Sequence, residues 1–394
     1  MKNDLSLSRR ELLLSTLLSG TAALTMTLPG VSRAASSQAA GTINLADIGV
    51  GNPGGNWSKY TAQSNWDVNL IAIGNAPSAV MNKLLAGGGR KTYDLINIVG
   101  GMLPPLVNNH LIEPIDTSKI PNWSKDSYIS SYLSKGSPGY DFIAYQNTIY
   151  SVPTVLQGDA FAYLPEKTGK LSSYGALFDP KWKGYTALED NYTTAGQKTA
   201  MYLKHHNLAS INDPANMTPA EIKQVVDFLI KKKKEGQFRT LWSSFQQAVN
   251  LMTSKEVYVI DCWEPMVFAA KDKGVDWVYA DPEEGYLLWA MAANLVKKPG
   301  VSAAERKAAY ELLNFMLGGW YGAKITLLRG YMTNPHAVEY AKAHPNEFSA
   351  KEAQKIERIT KDVKSKFDQG GSWQQRWPKH IDAYQQQWER FKAA

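Results

Sequence analysis

The stretch TINLADIGVGNPG, residues 42–54, is an apolar β-forming run that ends in a glycine-rich turn. Helix-like patterns separate it from six further runs of the same kind, at residues 68–73, 94–99, 142–152, 160–164, 257–261 and 287–294. The run at 142–152 has the pattern of a hairpin that turns at Gln146-Asn147. Strands that alternate with helices predict an α/β architecture.

Three helices in the second half have explicit start signals, each a capping residue followed three positions later by a glutamate. The pairs are Thr218 and Glu221, Ser302 and Glu305, and Ser349 and Glu352. A chain of 394 residues with 44% hydrophobic residues is long enough for two domains. No low-complexity linker separates two such domains, so we expect the chain to cross between them more than once.

The N-terminus has the pattern of an export signal. Arg9-Arg10 precede an apolar stretch that is too short, and too often interrupted by polar residues, to span a membrane. Small residues follow at Ser32-Arg33-Ala34. Residues 1–34 are therefore predicted to be a twin-arginine signal peptide, which places the protein in the periplasm. An amphipathic N-terminal helix is the alternative interpretation.

Charge and cysteine content exclude several classes of function. The net charge of +7 is mildly basic, and the lysine run at 231–234 lies late in a helical pattern, which is typical of a solvated face. We therefore expect no nucleic-acid binding. The single cysteine, Cys262, excludes an internal disulfide, and its apolar neighbours predict a core position.

The glycines at 49–54 formally match a dinucleotide-binding fingerprint, and a nucleotide-dependent exported enzyme is the alternative function from another class. Pro53 falls within the turn, and too few residues follow Gly54 for the usual crossover helix. The same loop, opening toward Asn56 and Trp57, also suits close approach of the backbone to a small ligand.

The sequence predicts no metal and no cofactor. The six histidines are scattered, and the rings of the adjacent pair His205-His206 are expected to point in different directions on a helix. No nucleophile elbow or phosphate loop is present.

The aromatic content is high, with 12 Trp and 20 Tyr. Several of these residues fall where strands end and loops begin, and a polar or acidic residue is close to most of them: Trp57, Tyr60, Trp263, Trp289, Tyr331 and Trp373. This pattern predicts a cleft that holds a small organic molecule between aromatic faces, although core packing remains the alternative role for each ring.

The blocks FDPKWKG at 178–184 and ALED at 187–190 resemble the periplasmic spermidine/putrescine-binding proteins. Further blocks follow that family in order and spacing, at residues 93–95, 111–116, 255–263, 284–289, 312–317 and 330–335. The shared order extends over nearly the whole chain after the signal. It indicates a solute-binding receptor of an ABC importer.

The resemblance implies a two-lobed α/β fold, the type II periplasmic binding fold, with a ligand cleft between lobes joined by crossing hinge strands. Lobe 1 is predicted at residues 41–154 and 289–338, and lobe 2 at 155–288 and 339–394. The implied protein is a monomer that catalyses no reaction and delivers its solute to a permease in the inner membrane. A receptor that signals to a sensor instead remains open.

The polyamine pocket of the family carries over in part. Trp263, Trp289, Tyr331 and Gln374 match its aromatic and amide positions, which implies that they contact the ligand. Three acidic positions of the family fall on uncharged residues: Met291, Asn191 and Thr194. A polycation would lose its charged partners there, which disfavours spermidine and putrescine.

The first-lobe loop of the family falls on Val99 and Gly101, beside Gly100, where exposed backbone N–H groups suit an anion. Charges near the matched positions are Asp159, Asp190, Asp261, Glu264 and Arg329, and the sequence leaves open which of them reach the cleft. We expect an amine- or amino-acid-like solute, with a small organic or aromatic carboxylate as the alternative. The predicted ligand-binding set is Asn56, Trp57, Gly100, Gly101, Asp190, Asn191, Trp263, Glu264, Trp289, Tyr331 and Gln374.

Overall fold

The computed structural model describes residues 39–74 and 76–394. The predicted signal peptide at 1–34 lies outside the described residues. Residues 39–394 form one compact unit. In the described part of the chain, no helix combines the length and apolar character that a membrane crossing needs.

The strands follow the chain in this order: β1 Gly41–Asp47, β2 Trp66–Ala72, β3 Leu95–Val99, β4 Ala144–Tyr145, β5 Thr148–Ile149, β6 Ser151–Tyr163, β7 Thr186–Glu189, β8 Phe238–Trp242, β9 Val259–Cys262, β10 Val278–Tyr279, β11 Tyr286–Leu295 and β12 Gly371–Trp373. The helices are α1 Ser58–Ser64, α2 Pro77–Leu85, α3 Gly89–Thr92, α4 Leu103–Asn108, α5 Ser127–Tyr132, α6 Pro165–Thr168, α7 Gln197–His205, α8 Pro219–Lys234, α9 Phe245–Thr253, α10 Glu264–Asp272, α11 Ala303–Met316, α12 Gly319–Arg329, α13 His336–Ala343, α14 Ala350–Gln369 and α15 Ile381–Ala393.

The predicted runs correspond to β1, β2, β3, the β4–β5 hairpin, β6, β9 and β11, which confirms the α/β class. Gln146 and Asn147 have φ values of 50° and 63°, as the predicted hairpin turn requires. Thr218 and Ser349 form complete capping boxes, and the Ser302 side chain accepts a hydrogen bond from the Glu305 N–H at 3.1 Å. The sequence analysis missed β7, β8, β10 and β12.

A single sheet runs through the molecule in the order β2-β1-β3-β11-β6-β9-β7-β8, with β10 added to β6 and β12 to β11. At one end β2, β1 and β3 are parallel, and at the other end β9, β7 and β8 are parallel. The antiparallel pair β6–β11 joins the two parallel groups. Both strands of this pair are buried along their whole length, so they form the spine of the fold.

Different parts of the spine strands β6 and β11 pair with strands on the two sides of the sheet. β11 pairs with β3 through residues 291–295 and with β12 through residues 286–288, while β6 pairs with β9 through residues 160–163. The Leu156 N–H also donates to the Met332 carbonyl at 2.8 Å. These positions lie close to the crossings expected from the sequence, at 152–156, at 287–289 and after Tyr331. The lobe boundaries themselves stay a prediction.

Lys198 of α7 is the charged anchor behind the second parallel group. Its ammonium forms an ion pair with Asp261 of β9 and donates to the Ala160 carbonyl at 3.0 Å. Both side chains of the pair are only 1% exposed. The neighbouring Cys262 is fully buried, as expected of a core residue, and burial raises the pKa of its thiol well above the ordinary value.

We expect Lys198→Met to lower the free energy of unfolding by about 3–5 kcal/mol, because Asp261 would remain buried without its partner charge. Lys223→Met is the matched control, since it breaks an exposed ion pair with Asp227 and should change stability by no more than about 0.5 kcal/mol. Urea unfolding at pH 7.5 measures both values. Equal effects of the two substitutions would contradict an anchoring role for Lys198.

Candidate functional site

A cavity of about 60 Å³ lies beside the spine, where carboxyl ends of parallel strands from both groups converge. It is reached by the segments that end or follow β1, β3, β7 and β9. Ligands of open α/β sheets bind outside the carboxyl ends of their strands. The lining residues are Ile48, Val50, Val99, Asp159, Glu189, Thr194, Trp263, Trp289, Tyr331, Gln374 and Arg376.

The walls of the cavity are aromatic. The rings of Trp289 and Tyr331 meet edge to face with centroids 5.4 Å apart, and both side chains are buried. The Trp263 indole packs at a right angle on the core residue Trp242, at 5.5 Å. The Gln374 amide donates to the Thr193 carbonyl at 3.1 Å. The structure therefore brings together the four residues that the sequence resemblance matched to a pocket: Trp263, Trp289, Tyr331 and Gln374.

Two polar side-chain atoms of the spine strands β6 and β11 face the cavity and have no hydrogen-bond partner among the described residues. They are Oδ1 of Asp159, an acceptor, and Nε1 of Trp289, a donor. Asp159 lies on β6 opposite Leu287 of β11, and Trp289 lies two residues further along β11, so the two side chains share one face of the spine. Buried polar groups are normally paired, and exceptions need an explanation such as a ligand.

Burial raises the pKa of the Asp159 carboxyl to about 6, against the opposing effects of the positive charges of Lys198 and Lys366 and of the nearby Trp289 indole. The Trp289 N–H is thus close to the carboxylate without reaching hydrogen-bond geometry. Asp159 was one of the charges whose place in the cleft the sequence left open. Near neutral pH it presents a buried negative charge to the cavity.

A second carboxylate, Glu189, lines the cavity and was missed by the sequence analysis. Burial and the nearby Asp261 raise its pKa to about 7, and Lys198 opposes the shift. Its oxygens accept hydrogen bonds from Trp263 Nε1 at 3.1 Å and Asn191 Nδ2 at 3.3 Å. Glu189 therefore fixes the orientation of the Trp263 ring. Alternation along the short strand β7 could have indicated that Glu189 faces inward while Asp190 faces outward.

Asp190 and Asn191 do not line the cavity. The Asp190 carboxylate accepts a hydrogen bond from Trp388 Nε1 at 2.7 Å, on the side of α15. The Asn191 side chain accepts from the Thr193 N–H at 2.9 Å and so caps the wide helical turn Tyr192–Gly196. The polar atoms of both side chains are used within the protein, in a contact to α15 and in helix capping, so neither side chain faces the cavity.

Asn56 and Trp57 are also placed elsewhere. Asn56 is exposed, and its side chain accepts a hydrogen bond from the Ser58 N–H at 3.0 Å at the start of α1. Trp57 is buried in the core, where its ring stacks on Tyr321 at 6.0 Å. The aromatic ring at this position packs the fold instead of facing the cavity.

Gly100 and Gly101, which the resemblance implied as anion donors, do not line the cavity. The Gly100 N–H donates to the Ala290 carbonyl at 2.8 Å, within the sheet. Gly101 has a φ of 79°, and a side chain there would clash with the backbone of residues 374–376. Gly101 thus allows the segment that carries Gln374 to pass close to the end of β3, and Gly100 leaves room for the Phe142 ring.

The glycine loop at 49–54 lacks the geometry of a dinucleotide fingerprint. The buried Asp47 carboxylate accepts hydrogen bonds from the N–H groups of Gly49 and Gly51, the latter at 3.1 Å, and from Asn97 Nδ2 at 2.6 Å. It thus occupies the donors that a phosphate would need. The next helix, α1, begins only at Ser58.

A groove of about 800 Å³ adjoins the cavity and shares Ile48, Val50, Trp263 and Tyr331 with it. Glu264 and Arg329, two of the charges named from the sequence, line this groove and not the cavity. Glu264 accepts hydrogen bonds from Lys366 Nζ at 2.8 Å and Gln157 Nε2 at 3.1 Å. The groove therefore places charged side chains, Glu264 and Arg329 among them, next to the cavity.

The sequence analysis expected the rings of His205 and His206 to point in different directions, but the two rings are in contact. His205, His206 and Glu283 each place a potential metal ligand within 4.8 Å of the other two, outside the cavity. His206 is the C-cap of α7 and no longer follows the helix, so the two rings approach each other with centroids 5.0 Å apart.

The model of the bacterial extracellular solute-binding protein family matches residues 57–377. The spermidine/putrescine-binding periplasmic protein 1 of Haemophilus influenzae is 24% identical over 304 residues, which is 75% of this chain and 76% of that protein.

Two solved structures show the same fold. The spermidine/putrescine transporter substrate-binding protein PotD of Streptococcus pneumoniae has a TM-score of 0.67 at 17% identity, covering 89% of this chain and 98% of its own. MotA of A. tumefaciens, solved with glucopine, has a TM-score of 0.65 at 17% identity, covering 89% and 99%. The fold is the two-lobed type II periplasmic binding fold. The chain belongs to the bacterial extracellular solute-binding protein family.

Proposed function

We propose that this protein is the solute-binding receptor of an ABC importer and holds a compact amine- or amino-acid-like solute in the cavity beside the spine. The observation that carries the proposal is the pair of unpartnered atoms, Asp159 Oδ1 and Trp289 Nε1, on one face of the spine within an aromatic box. The family supports the receptor role, because its members bind extracellular solutes. No catalytic step is part of this proposal.

The site favours a solute with one ammonium group. A buried carboxylate oxygen attracts a cation and accepts its N–H donors, and the faces of Trp263, Trp289 and Tyr331 add cation–π attraction. The free indole N–H would pair with an oxygen of the solute, such as a hydroxyl, carbonyl or carboxylate. An amine with a nearby oxygen satisfies both orphaned atoms at once.

A polyamine fits this arrangement less well, for a different reason than the one drawn from sequence. The cavity does contain two carboxylates, Asp159 and Glu189, but Glu189 already accepts hydrogen bonds from Trp263 and Asn191. Only Asp159 has an oxygen left without a partner. A second ammonium would therefore be buried without a carboxylate of its own, which costs several kcal/mol.

The remaining parts of the receptor hypothesis follow from the sequence. A twin-arginine signal at 1–34 would export the folded chain to the periplasm, where a monomer would close its two lobes over the solute and dock on an inner-membrane permease. The lobes are those proposed from sequence, 41–154 with 289–338 and 155–288 with 339–394. Their closure would exclude water from the cavity and strengthen the contact to Asp159.

The first experiment is thermal unfolding of the full-length protein against amino acids, γ-amino acids, monoamines, betaines, polyamines and small carboxylates. A solute that binds only the native state raises the unfolding midpoint by mass action. We expect compounds with one ammonium and a nearby oxygen to give the largest shift. A larger midpoint shift with polyamines would contradict the argument for a single acceptor. A shift with carboxylates alone would favour the indole N–H as the main contact in place of Asp159. No shift with any compound would contradict the receptor proposal.

We expect Asp159→Asn to weaken binding of the best ammonium-containing solute by about 100-fold, because the ammonium would lose its only unpaired carboxylate (on the order of 3 kcal/mol). Asp190→Asn is the matched control and should leave the affinity within a few-fold of wild type, since Asp190 lies outside the cavity. Isothermal titration calorimetry measures both. Equal losses in the two variants would exclude Asp159 as the ammonium partner.

The same substitution should stabilise the ligand-free protein. The folded pKa of Asp159, about 6, lies above the ordinary carboxyl value, so its contribution to stability is present at low pH and is lost as pH rises through 6. We expect Asp159→Asn to have a higher free energy of unfolding than wild type at pH 7.5, by up to about 3 kcal/mol. The difference should shrink as pH falls from 7 to 4, as followed by urea unfolding. A destabilised variant at pH 7.5 would assign Asp159 a structural role instead.

Trp289→Phe removes the indole N–H and keeps an aromatic ring against Tyr331. We expect it to lower the affinity for an oxygen-bearing solute by about 10-fold, the value of one hydrogen bond, and to affect an amine without oxygen much less. Trp66→Phe, on the edge strand β2, is the control and should change neither affinity. If Trp289→Phe lowers the affinity for both solutes equally, the solute contacts the ring and not the N–H.

A further inference from the structure

A cluster of two histidines and two glutamates lies at the end of α7, next to the segment that leads into β11. We call His205, His206, Glu283 and Glu284 the His-Glu cluster. The first three are exposed, and their potential ligand atoms lie within 4.8 Å of one another. The cluster lines neither the cavity nor the groove next to it.

The distances within the cluster suit a tetrahedral ion. His206 Nε2 lies 3.6 Å from Glu283 Oε1 and 3.1 Å from Glu284 Oε1. Ligand bonds of about 2.1 Å at a tetrahedral centre place neighbouring ligand atoms roughly 3.4 Å apart. The His205 ring lies next to that of His206, at 5.0 Å between centroids, and can complete the set with a small rotamer change.

One carboxylate of the cluster is already held in place. The Glu284 side chain is fully shielded from solvent, accepts a hydrogen bond from the Tyr174 N–H at 3.2 Å, and also accepts from the Ser173 hydroxyl. Outer contacts of this kind orient ligands and reduce the entropy lost on metal binding. Glu284 is therefore a preorganised ligand beside three movable ones.

We propose that the His-Glu cluster binds one divalent transition-metal ion, with Zn²⁺, Ni²⁺ and Cu²⁺ as the candidates. Two imidazoles and carboxylates are the donors that these ions prefer, whereas Ca²⁺ and Mg²⁺ select sites made only of oxygen ligands. The bound ion joins the end of α7 to residues 283–284. Gly285 and β11 follow directly, so the ion fixes the start of the spine strand that carries Trp289.

The test uses the full-length protein without an affinity tag, titrated with ZnCl₂ by calorimetry and followed by thermal unfolding. We expect one equivalent of Zn²⁺ to bind and to raise the unfolding midpoint, while CaCl₂ and MgCl₂ at the same concentration do neither. His205→Ala and Glu283→Gln should each weaken Zn²⁺ binding at least 10-fold. Neither change disturbs the Ser173 and Tyr174 contacts of Glu284.

His110→Asn is the matched control, because His110 is an exposed histidine with a φ of 54°, which asparagine also adopts. It should leave Zn²⁺ binding unchanged. Absence of Zn²⁺ binding to the wild type, or equal binding by His205→Ala, Glu283→Gln and His110→Asn, would overturn the proposal and leave only a hydrogen bond between His206 and Glu284.

Discussion

The antiparallel pairing of β6 with β11 is the constraint on which the other features depend. Its 13 and 10 residues are all buried, and it carries the only connection of the sheet between the two parallel groups in the described chain. The pairing register also fixes which side chains share a face, so it sets the position of Asp159 relative to Trp289. A shift of one residue would turn the side chains of one strand to the opposite face and separate Asp159 from Trp289, so the fold and the site have the same determinant.

Local signals in the sequence predicted much of the fold. Capping residues such as Thr218 and Ser349 and the hairpin turn at 146–147 act within a few residues, and their geometry was correct. The short strands β7 and β12 were missed because their pairing partners are distant in sequence, and three or four residues show no clear periodicity. The same limit applied to His205-His206, since the C-terminal residue of a helix is hard to locate from propensity alone.

The aromatic part of the site could be predicted, and its charge could not. The resemblance identified losses of acid at Met291, Asn191 and Thr194, but position-by-position comparison cannot detect a carboxylate that reaches the cavity from another strand. Asp159 comes from β6, next to the strand that carries Met291, and Glu189 lies at the end of β7. Whether a charge reaches a cleft depends on register and on strand pleat, and these are properties of the assembled sheet.

The two cavity carboxylates differ in their hydrogen-bond partners, and this difference would allow the proposed site to select a solute. Glu189 has hydrogen-bond partners within the protein, whereas Oδ1 of Asp159 has none among the described residues and, in the proposed receptor, would gain one from the solute. A solute without a cation leaves the Asp159 charge buried and unpaired, and a solute with two cations leaves one of its own unpaired. In the proposed receptor, discrimination between solutes would therefore arise from the penalty of an unpaired charge more than from the strength of the correct contact. The raised pKa of Asp159 indicates that the ligand-free protein bears part of that penalty permanently, so the proposed selectivity would be obtained at the expense of stability in the empty state.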